Sequence, residues 1–221
     1  MSESAFAREF RTPRAAAIAG IAFAVILVVV VVLLHAALPG SGDQSRWITD
    51  RGRRQQVSWA LELIPYAGIA FLWFIGVIRS QLAEREDKLF ATVFLGSGLL
   101  FVAMLFAAAA NGAALLSQYG VSAAVPADEV RLVGAISTAL LSTFGIRMAA
   151  VFALVVTNLG RRAGIVPRWL LVVGYVAAVA LLLAPPRTLW AVLLFPLWVF
   201  LLSVQILLVS FRTGSREGKA A

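Results

Sequence analysis

Long apolar stretches alternate with short polar segments along the whole chain. A helix needs about 20 mainly apolar residues to cross the hydrocarbon of a bilayer, and backbone polar groups inside a bilayer must be paired within the protein. The pattern therefore predicts an all-α fold, a six-transmembrane-helix bundle with short loops that forms one membrane domain. The predicted spans are residues 15–38, 57–78, 89–110, 132–157, 170–184 and 188–211.

The segments outside the spans are short and polar. Residues 1–14 and 212–221 are predicted to be cytoplasmic terminal segments, the second of them a disordered tail. Between the first two spans, Trp47 and Ile48 stand among arginines, a pattern that indicates a short interfacial segment at the lipid headgroups.

Lys and Arg are unevenly distributed between the two sides of the predicted bundle. Twelve lie on the side of the termini and six on the opposite side. The positive-inside rule then places both termini in the cytoplasm of a multi-pass plasma-membrane protein. The arginine-rich segment between spans one and two, with Arg46, Arg51, Arg53 and Arg54, would by itself favour the opposite orientation.

Composition supports a membrane protein and excludes several other classes. Hydrophobic residues make up 61% of the chain, and the mean hydropathy is +0.91. The net charge of +8 comes from clusters beside apolar spans, so it indicates contact with membrane lipids rather than with nucleic acid. The chain has no cysteine, which excludes disulfides and thiolate metal sites. The dominance of arginine over lysine is typical of a GC-rich bacterial genome.

Arg147 is the most informative polar residue, because it lies near the middle of the fourth span. A charge at this depth costs about 2.5–3.5 kcal/mol on insertion scales. We therefore expect its side chain to face the bundle interior and to find acceptors there. Thr143 lies one turn away on the same face of the helix.

Glu62 is the only carboxylate inside a predicted span, about 7.5 Å below the membrane surface at the helical rise. An interhelical pair between Glu62 and Arg147 is geometrically possible and would join spans two and four. Such a pair serves either as a packing clamp or as an intramembrane ligand site. The sequence leaves both interpretations open, and it does not tell whether Glu62 is ionised.

The remaining polar candidates are weaker. His35 is the only histidine, so no metal site and no cofactor are expected. Gln205 and Asn111 are expected to form interhelical hydrogen bonds, and small residues spaced four apart are expected to allow close helix contacts. Those small-residue spacings are Ala16-x3-Gly20-x3-Ala24, Ala103-x3-Ala107 and Gly174-x3-Ala178.

Two segments carry a resemblance to known proteins. Residues 63–79, which read LIPYAGIAFLWFIGVIR, and residues 86–98, which read EDKLFATVFLGSG, resemble a group of small uncharacterised bacterial multi-span integral membrane proteins. The segment VPRWL at 166–170 with Gly174 and Tyr175 is similar to a junction found in several families of unknown function. The resemblance implies a bacterial membrane protein and carries no activity.

Several enzyme classes do not fit. No predicted span contains a lysine for a retinal Schiff base or an aspartate for a paired-aspartate protease. The leading hypothesis is a non-enzymatic accessory or structural membrane component, as a homo-oligomer or with another membrane protein. The alternative is a small transporter or channel with a binding site around Arg147 and Glu62. An enzyme acting on lipid or quinone is a third class, for which the spans supply few acid–base groups.

Overall fold

The computed structural model of the chain describes residues 13–38, 46–82, 88–120, 125–164, 166–185 and 189–217. These residues are almost entirely helical and contain no β-strand, which confirms the all-α prediction. The helices are α1 Pro13–Ala37, α2 Arg46–Thr49, α3 Arg51–Leu82, α4 Lys88–Gln118, α5 Ala127–Thr138, α6 Ile146–Ala163, α7 Arg168–Leu183 and α8 Leu189–Glu217. A π-helical segment at Ala139–Gly145 joins α5 to α6 without a break.

Five helical stretches among the described residues are long and apolar enough to cross a membrane: α1, α3, α4, the continuous α5–α6 helix and α8. The fifth predicted span is present as α7, which has 16 residues and rises about 24 Å. The hydrocarbon core of a bilayer is about 30 Å thick. By length, five stretches are therefore candidate membrane crossings, and the sixth crossing, by the shorter α7, stays a prediction of the sequence.

The helices extend beyond the apolar stretches that revealed them. The predicted second span began at residue 57, whereas α3 begins at Arg51, and α4 runs to Gln118 rather than ending at residue 110. The end of an apolar stretch indicates where the chain would leave the hydrocarbon. The helix itself continues further, because its backbone hydrogen bonds extend into the polar residues on either side. The last helix likewise reaches Glu217, so residues 212–217 are helical where a disordered tail was predicted. Residues 1–12 and 218–221 lie outside the described residues.

Helix α1 is a full member of the bundle. It packs most extensively against α3 and also against α8. Helix α4 packs against α3 and α6, and α7 packs against α6 and α8. The first helix is thus held on two sides by other helices, and its small residues Ala16, Gly20 and Ala24 lie on its buried side.

An aromatic cluster fills the middle of the bundle. Its rings come from α1, α3, α4, α6 and α8, and neighbouring centroids are 4.6–6.2 Å apart in mixed stacked, tilted and edge-on arrangements, which are the favourable geometries for aromatic pairs. All of its members are buried. The interior between these helices is therefore closed by apolar side chains. The aromatic cluster comprises Phe23, Phe71, Phe74, Phe94, Phe101, Phe152, Phe195 and Trp198.

Two of the three small-residue spacings lie at close helix contacts. A methyl group added at Gly20 would overlap the Ser203 hydroxyl of α8 and lie 2.8 Å from the ring of Phe74. A methyl group at Gly174 would likewise overlap Thr157 of α6. These contacts confirm the prediction for the spacings around Gly20 and Gly174. Ala103 is exposed, so the third spacing does not mark a helix contact.

A second, smaller core closes one end of the bundle. Trp47 and Ile48 of α2 are buried there, so these two side chains pack against protein, and the position of the segment at the lipid headgroups stays a prediction. They anchor the connection between α1 and α3 to the ends of the helices around it. The buried residues of this core are Ala37, Trp47, Ile48, Val57, Leu115 and Val130.

Candidate functional site

Arg147 lies near the middle of the continuous α5–α6 helix. At the helical rise, it is about 27 Å from Glu129 at one polar end and about 21 Å from Arg161 at the other. It is the second residue after the π-helical segment. Its depth therefore agrees with the mid-membrane position that the sequence predicted.

The π-helical segment supplies Arg147 with acceptors from its own helix. The amide of Ile146 donates to the carbonyl of Leu141 rather than to that of Ser142, its α-helical partner. Arg147 Nη1 donates to the Thr143 carbonyl at 2.6 Å and, weakly, to the Ser142 carbonyl at 3.5 Å. The π step thus leaves the Ser142 carbonyl, the more distant of the two acceptors, without its α-helical partner, the Ile146 amide. Thr143 contributes through its backbone rather than through its hydroxyl.

The orientation of Arg147 differs from the expected one. Its side chain is only half-buried, and it lies on the helix face that carries Phe144 and Leu154, which are 57% and 45% exposed. The opposite face, with Ala149 and Ala153, is completely buried. Arg147 therefore lies at the edge of the bundle and not in its interior.

The guanidinium retains unused hydrogen-bonding capacity. Arginine has five N–H donors, and both hydrogen bonds of Arg147 come from Nη1. Within the described part of the chain, neither Nε nor Nη2 has an acceptor. A half-exposed cation at mid-membrane depth with unused N–H donors is energetically unfavourable in hydrocarbon unless a further hydrogen-bond acceptor approaches it.

The structure does not bring Glu62 and Arg147 together as an ion pair. Glu62 is exposed and accepts a hydrogen bond of 3.2 Å from the Ser58 hydroxyl, one turn earlier on α3. The buried positions of α3 nearest to Glu62 include Ala60, Ile64 and Ala67, and Glu62 lies on the other side of the helix. The predicted clamp between spans two and four is therefore absent.

The weaker polar candidates, His35, Asn111 and Gln205, form no shared site in the structure. His35 is exposed in the last turn of α1. Asn111 donates to the Ala107 carbonyl of its own helix, and Gln205 is half-buried without a hydrogen bond to any described residue. The predicted interhelical hydrogen bonds of these two residues are thus not formed. The described residues hold no group of three His, Asp or Glu side chains suited to a metal ion.

The arginines between α1 and α3 have a structural role that the sequence analysis missed. Arg53 Nη1 donates to the Ala37 carbonyl at the end of α1, and Arg54 Nη2 donates to the Leu116 carbonyl near the end of α4. Carbonyls in the last turn of a helix lack amide partners and carry the negative end of the helix dipole. Asp50 accepts from the amides of Gly52 and Arg53 and so caps the start of α3.

An open groove lies between α3 and α4 beside this end of the bundle. Its volume is about 550 Å³. Arg54, Ser58, Glu62 and Ser117 supply its polar groups, and Arg54 Nη1 is buried without a hydrogen-bond partner in the described structure. The rest of the lining is apolar: Leu61, Ile64, Pro65, Phe106, Ala109, Ala110, Ala113 and Leu116.

Tyr119, which directly follows α4, contacts the first turn of α5, where its hydroxyl donates to the Glu129 carboxylate. This hydrogen bond, followed by burial and the charge of Glu129, raises the pKa of Tyr119 above its ordinary value of 10.0. Because the pKa is higher in the folded state, the contribution of this contact to stability is present below pH 10.0 and is lost as the pH rises through the folded-state pKa.

We expect Tyr119 to ionise above pH 10.0, and Glu129→Gln to lower its pKa, since the carboxylate is the main cause of the shift. The measurement is an ultraviolet titration of tyrosinate, with Tyr119→Phe as the reference that is subtracted. A wild-type Tyr119 that ionises at its ordinary pKa, or a titration that Glu129→Gln leaves unchanged, would show that the contact does not form.

No protein-family model matches the sequence, and searches of curated proteins and of solved structures likewise find no match.

Proposed function

We propose that this chain is a non-enzymatic, multi-pass plasma-membrane protein that serves as an accessory subunit, and that Arg147 joins it to another membrane protein. The observation that supports this most directly is the state of Arg147. It is a half-exposed cation at mid-membrane depth with unused donors. Intramembrane charges pair with acceptors or face water, and the described chain offers Arg147 only carbonyls of its own helix.

The closed interior favours an assembly role over transport. The aromatic cluster fills the space between α1, α3, α4, α6 and α8, where a transported solute would need polar groups. Arg147 and Glu62, around which a transporter site was considered, form no ion pair. The proposed partner is therefore a membrane helix that presents an acidic or amide side chain at mid-membrane depth.

A second copy of the chain is a poorer partner for Arg147. The only carboxylate in a predicted span is Glu62, which lies about 7.5 Å from one surface, whereas mid-membrane depth is about 15 Å. Two copies in the same membrane would therefore place Glu62 and Arg147 at different depths. This mismatch favours a different chain as the partner.

The proposed orientation has both termini in the cytoplasm, which requires an even number of crossings, so the shorter apolar helix α7 must cross together with the five longer ones. Arg53 and Arg54, half of the arginines that opposed this orientation, donate to carbonyls at helix ends. Their presence is accounted for by helix capping, so they weigh less against the excess of Lys and Arg on the other side. The relation to the small bacterial membrane proteins that the sequence resembles is also a proposal.

The test is the substitution Arg147→Gln in the native host, with purification in native lipid and identification of co-purifying membrane proteins. We expect the variant to accumulate and fold normally and to lose a partner by about tenfold or more, since a charge-assisted hydrogen bond is worth about 1.5–3 kcal/mol. Arg168→Gln, which removes an exposed charge outside the spans, is the control. Equal recovery of every membrane partner from wild type, Arg147→Gln and Arg168→Gln would refute the proposal.

A further inference from the structure

The groove between α3 and α4 has the dimensions of one lipid leaflet. From Arg54 to Pro65 the groove follows α3 for about 16 Å, close to half of the roughly 30 Å hydrocarbon thickness. Arg54 is near the start of α3, at the end of the bundle where α1 and α4 finish. The polar end of the groove therefore lies at headgroup level, and the apolar end lies in hydrocarbon.

The lower part of the groove is shaped by small residues. Ala109, Ala110 and Ala113 line it on α4 and leave space beside α3 that larger side chains would fill. Phe106 forms its deep end and packs against Gly68, where an added methyl group would overlap the ring. The resulting surface is apolar and elongated, which suits an acyl chain.

The upper part of the groove carries one cation with an unsatisfied donor. Arg54 Nη2 is used by the Leu116 carbonyl, which holds the guanidinium in place, while Nη1 is buried and has no partner among the described residues. A buried donor without an acceptor is destabilising. An anionic oxygen at the top of the groove would satisfy this donor, and arginine is well suited to phosphate.

Glu62 restricts what else the occupant can carry. Its carboxylate accepts a hydrogen bond from the Ser58 hydroxyl in the same groove. Glu62 lies one helical turn deeper in the groove than Ser58. A second anion at this depth would be repelled, whereas ester groups and hydrocarbon would not. The occupant that fits has a single phosphodiester at the rim and uncharged chains below it.

We propose that this groove binds one anionic phospholipid, with its phosphodiester at Arg54 and an acyl chain along Ala109, Ala113 and Phe106. The bound lipid would lie along α3 and α4 between their contacts at Arg54–Leu116 and at Gly68–Phe106. This site is separate from Arg147 and does not depend on a protein partner.

The test is native mass spectrometry of the purified full chain, transferred from nanodiscs of phosphatidylglycerol or of phosphatidylcholine. We expect one retained phosphatidylglycerol in the wild type. Arg54→Gln should lower its occupancy about tenfold, the loss expected when a charge-assisted hydrogen bond is removed. Arg51→Gln removes the same charge from an exposed neighbour and should retain the lipid.

A second variant guards against a folding defect, since Arg54 also caps α4. Ala113→Phe fills the apolar part of the groove, leaves Arg54 intact, and should displace the lipid to a similar extent. Soluble glycerol phosphate should not compete, because it lacks the acyl chain. Equal lipid retention by wild type, Arg54→Gln and Ala113→Phe, equal retention of the two lipids, or displacement by glycerol phosphate would each overturn the proposal.

Discussion

Replacing Phe71 with alanine is expected to lower the free energy of unfolding by about 3–5 kcal/mol, the range for removing a fully buried aromatic ring. Phe71 is completely buried and lies at the centre of the aromatic cluster. The substitution would leave a cavity where five helices meet, namely α1, α3, α4, α6 and α8. Its ring has contacts with Phe23, Phe74, Phe101, Phe152 and Phe195.

Equilibrium unfolding in mixed detergent micelles measures this effect. Phe144→Ala is the matched control, because it removes the same ring from a position that is 57% exposed, and its effect should be small. If Phe71→Ala and Phe144→Ala were equally well tolerated, the aromatic cluster would not be the core of the bundle.

The second large effect is expected for Gly20→Val. Helix α1 approaches α8 so closely at this position that an added Cβ would overlap Ser203 and lie 2.8 Å from Phe74. Overpacking of this kind costs about 1–3 kcal/mol, and separating α1 from α8 would add the loss of their other contacts. We expect a lower unfolding midpoint and faster proteolysis in detergent.

Gly76→Val provides the comparison for Gly20→Val. Both glycines lie inside helices, and an added Cβ at Gly76 would meet no atom within 4 Å. The two variants therefore share the change in helix propensity and differ in the helix contact. Equal destabilisation by the two substitutions would show that α1 and α8 are not in close contact at Gly20.

Apolarity located the helices well but could not locate their ends. Each predicted span has a helix at its position, because a backbone in hydrocarbon must pair its own polar groups. The polar residues from Arg51 to Gln56 were read as a loop, although they continue α3. The helix there is stabilised by the local Asp50 cap and by two distant partners, the carbonyls of Ala37 and Leu116.

Which side of each helix is buried could not be predicted from this sequence. In a water-soluble bundle the polar face reveals the exposed side, but lipid and protein interior are both apolar. Glu62 and Arg147 were therefore expected to meet inside the bundle. Glu62 instead lies across α3 from its buried face, and Arg147 lies beside the exposed Phe144.

The aromatic cluster and the π-helical segment could not be predicted from the sequence either. Phe106 and Phe144 are exposed while Phe101 and Phe152 are buried, and nothing local distinguishes them. Residues 139–145 contain no proline, and their α-to-π change has no evident sequence cause. Small-residue spacing was the more informative signal, because close approach depends on the residue at the contact itself, as at Gly20 and Gly174.

Site-specific photo-crosslinking from Phe144, in native membranes, tests the proposed association most directly. Phe144 is exposed and lies on the same helix face as Arg147. A crosslinker at this position should yield one defined adduct with a different membrane protein, and Arg147→Gln should abolish the adduct. A crosslinker at the exposed Val176 of α7 should not form it. Crosslinks to lipid alone, to a second copy of the chain, or to a partner that Arg147→Gln leaves in place would contradict the account.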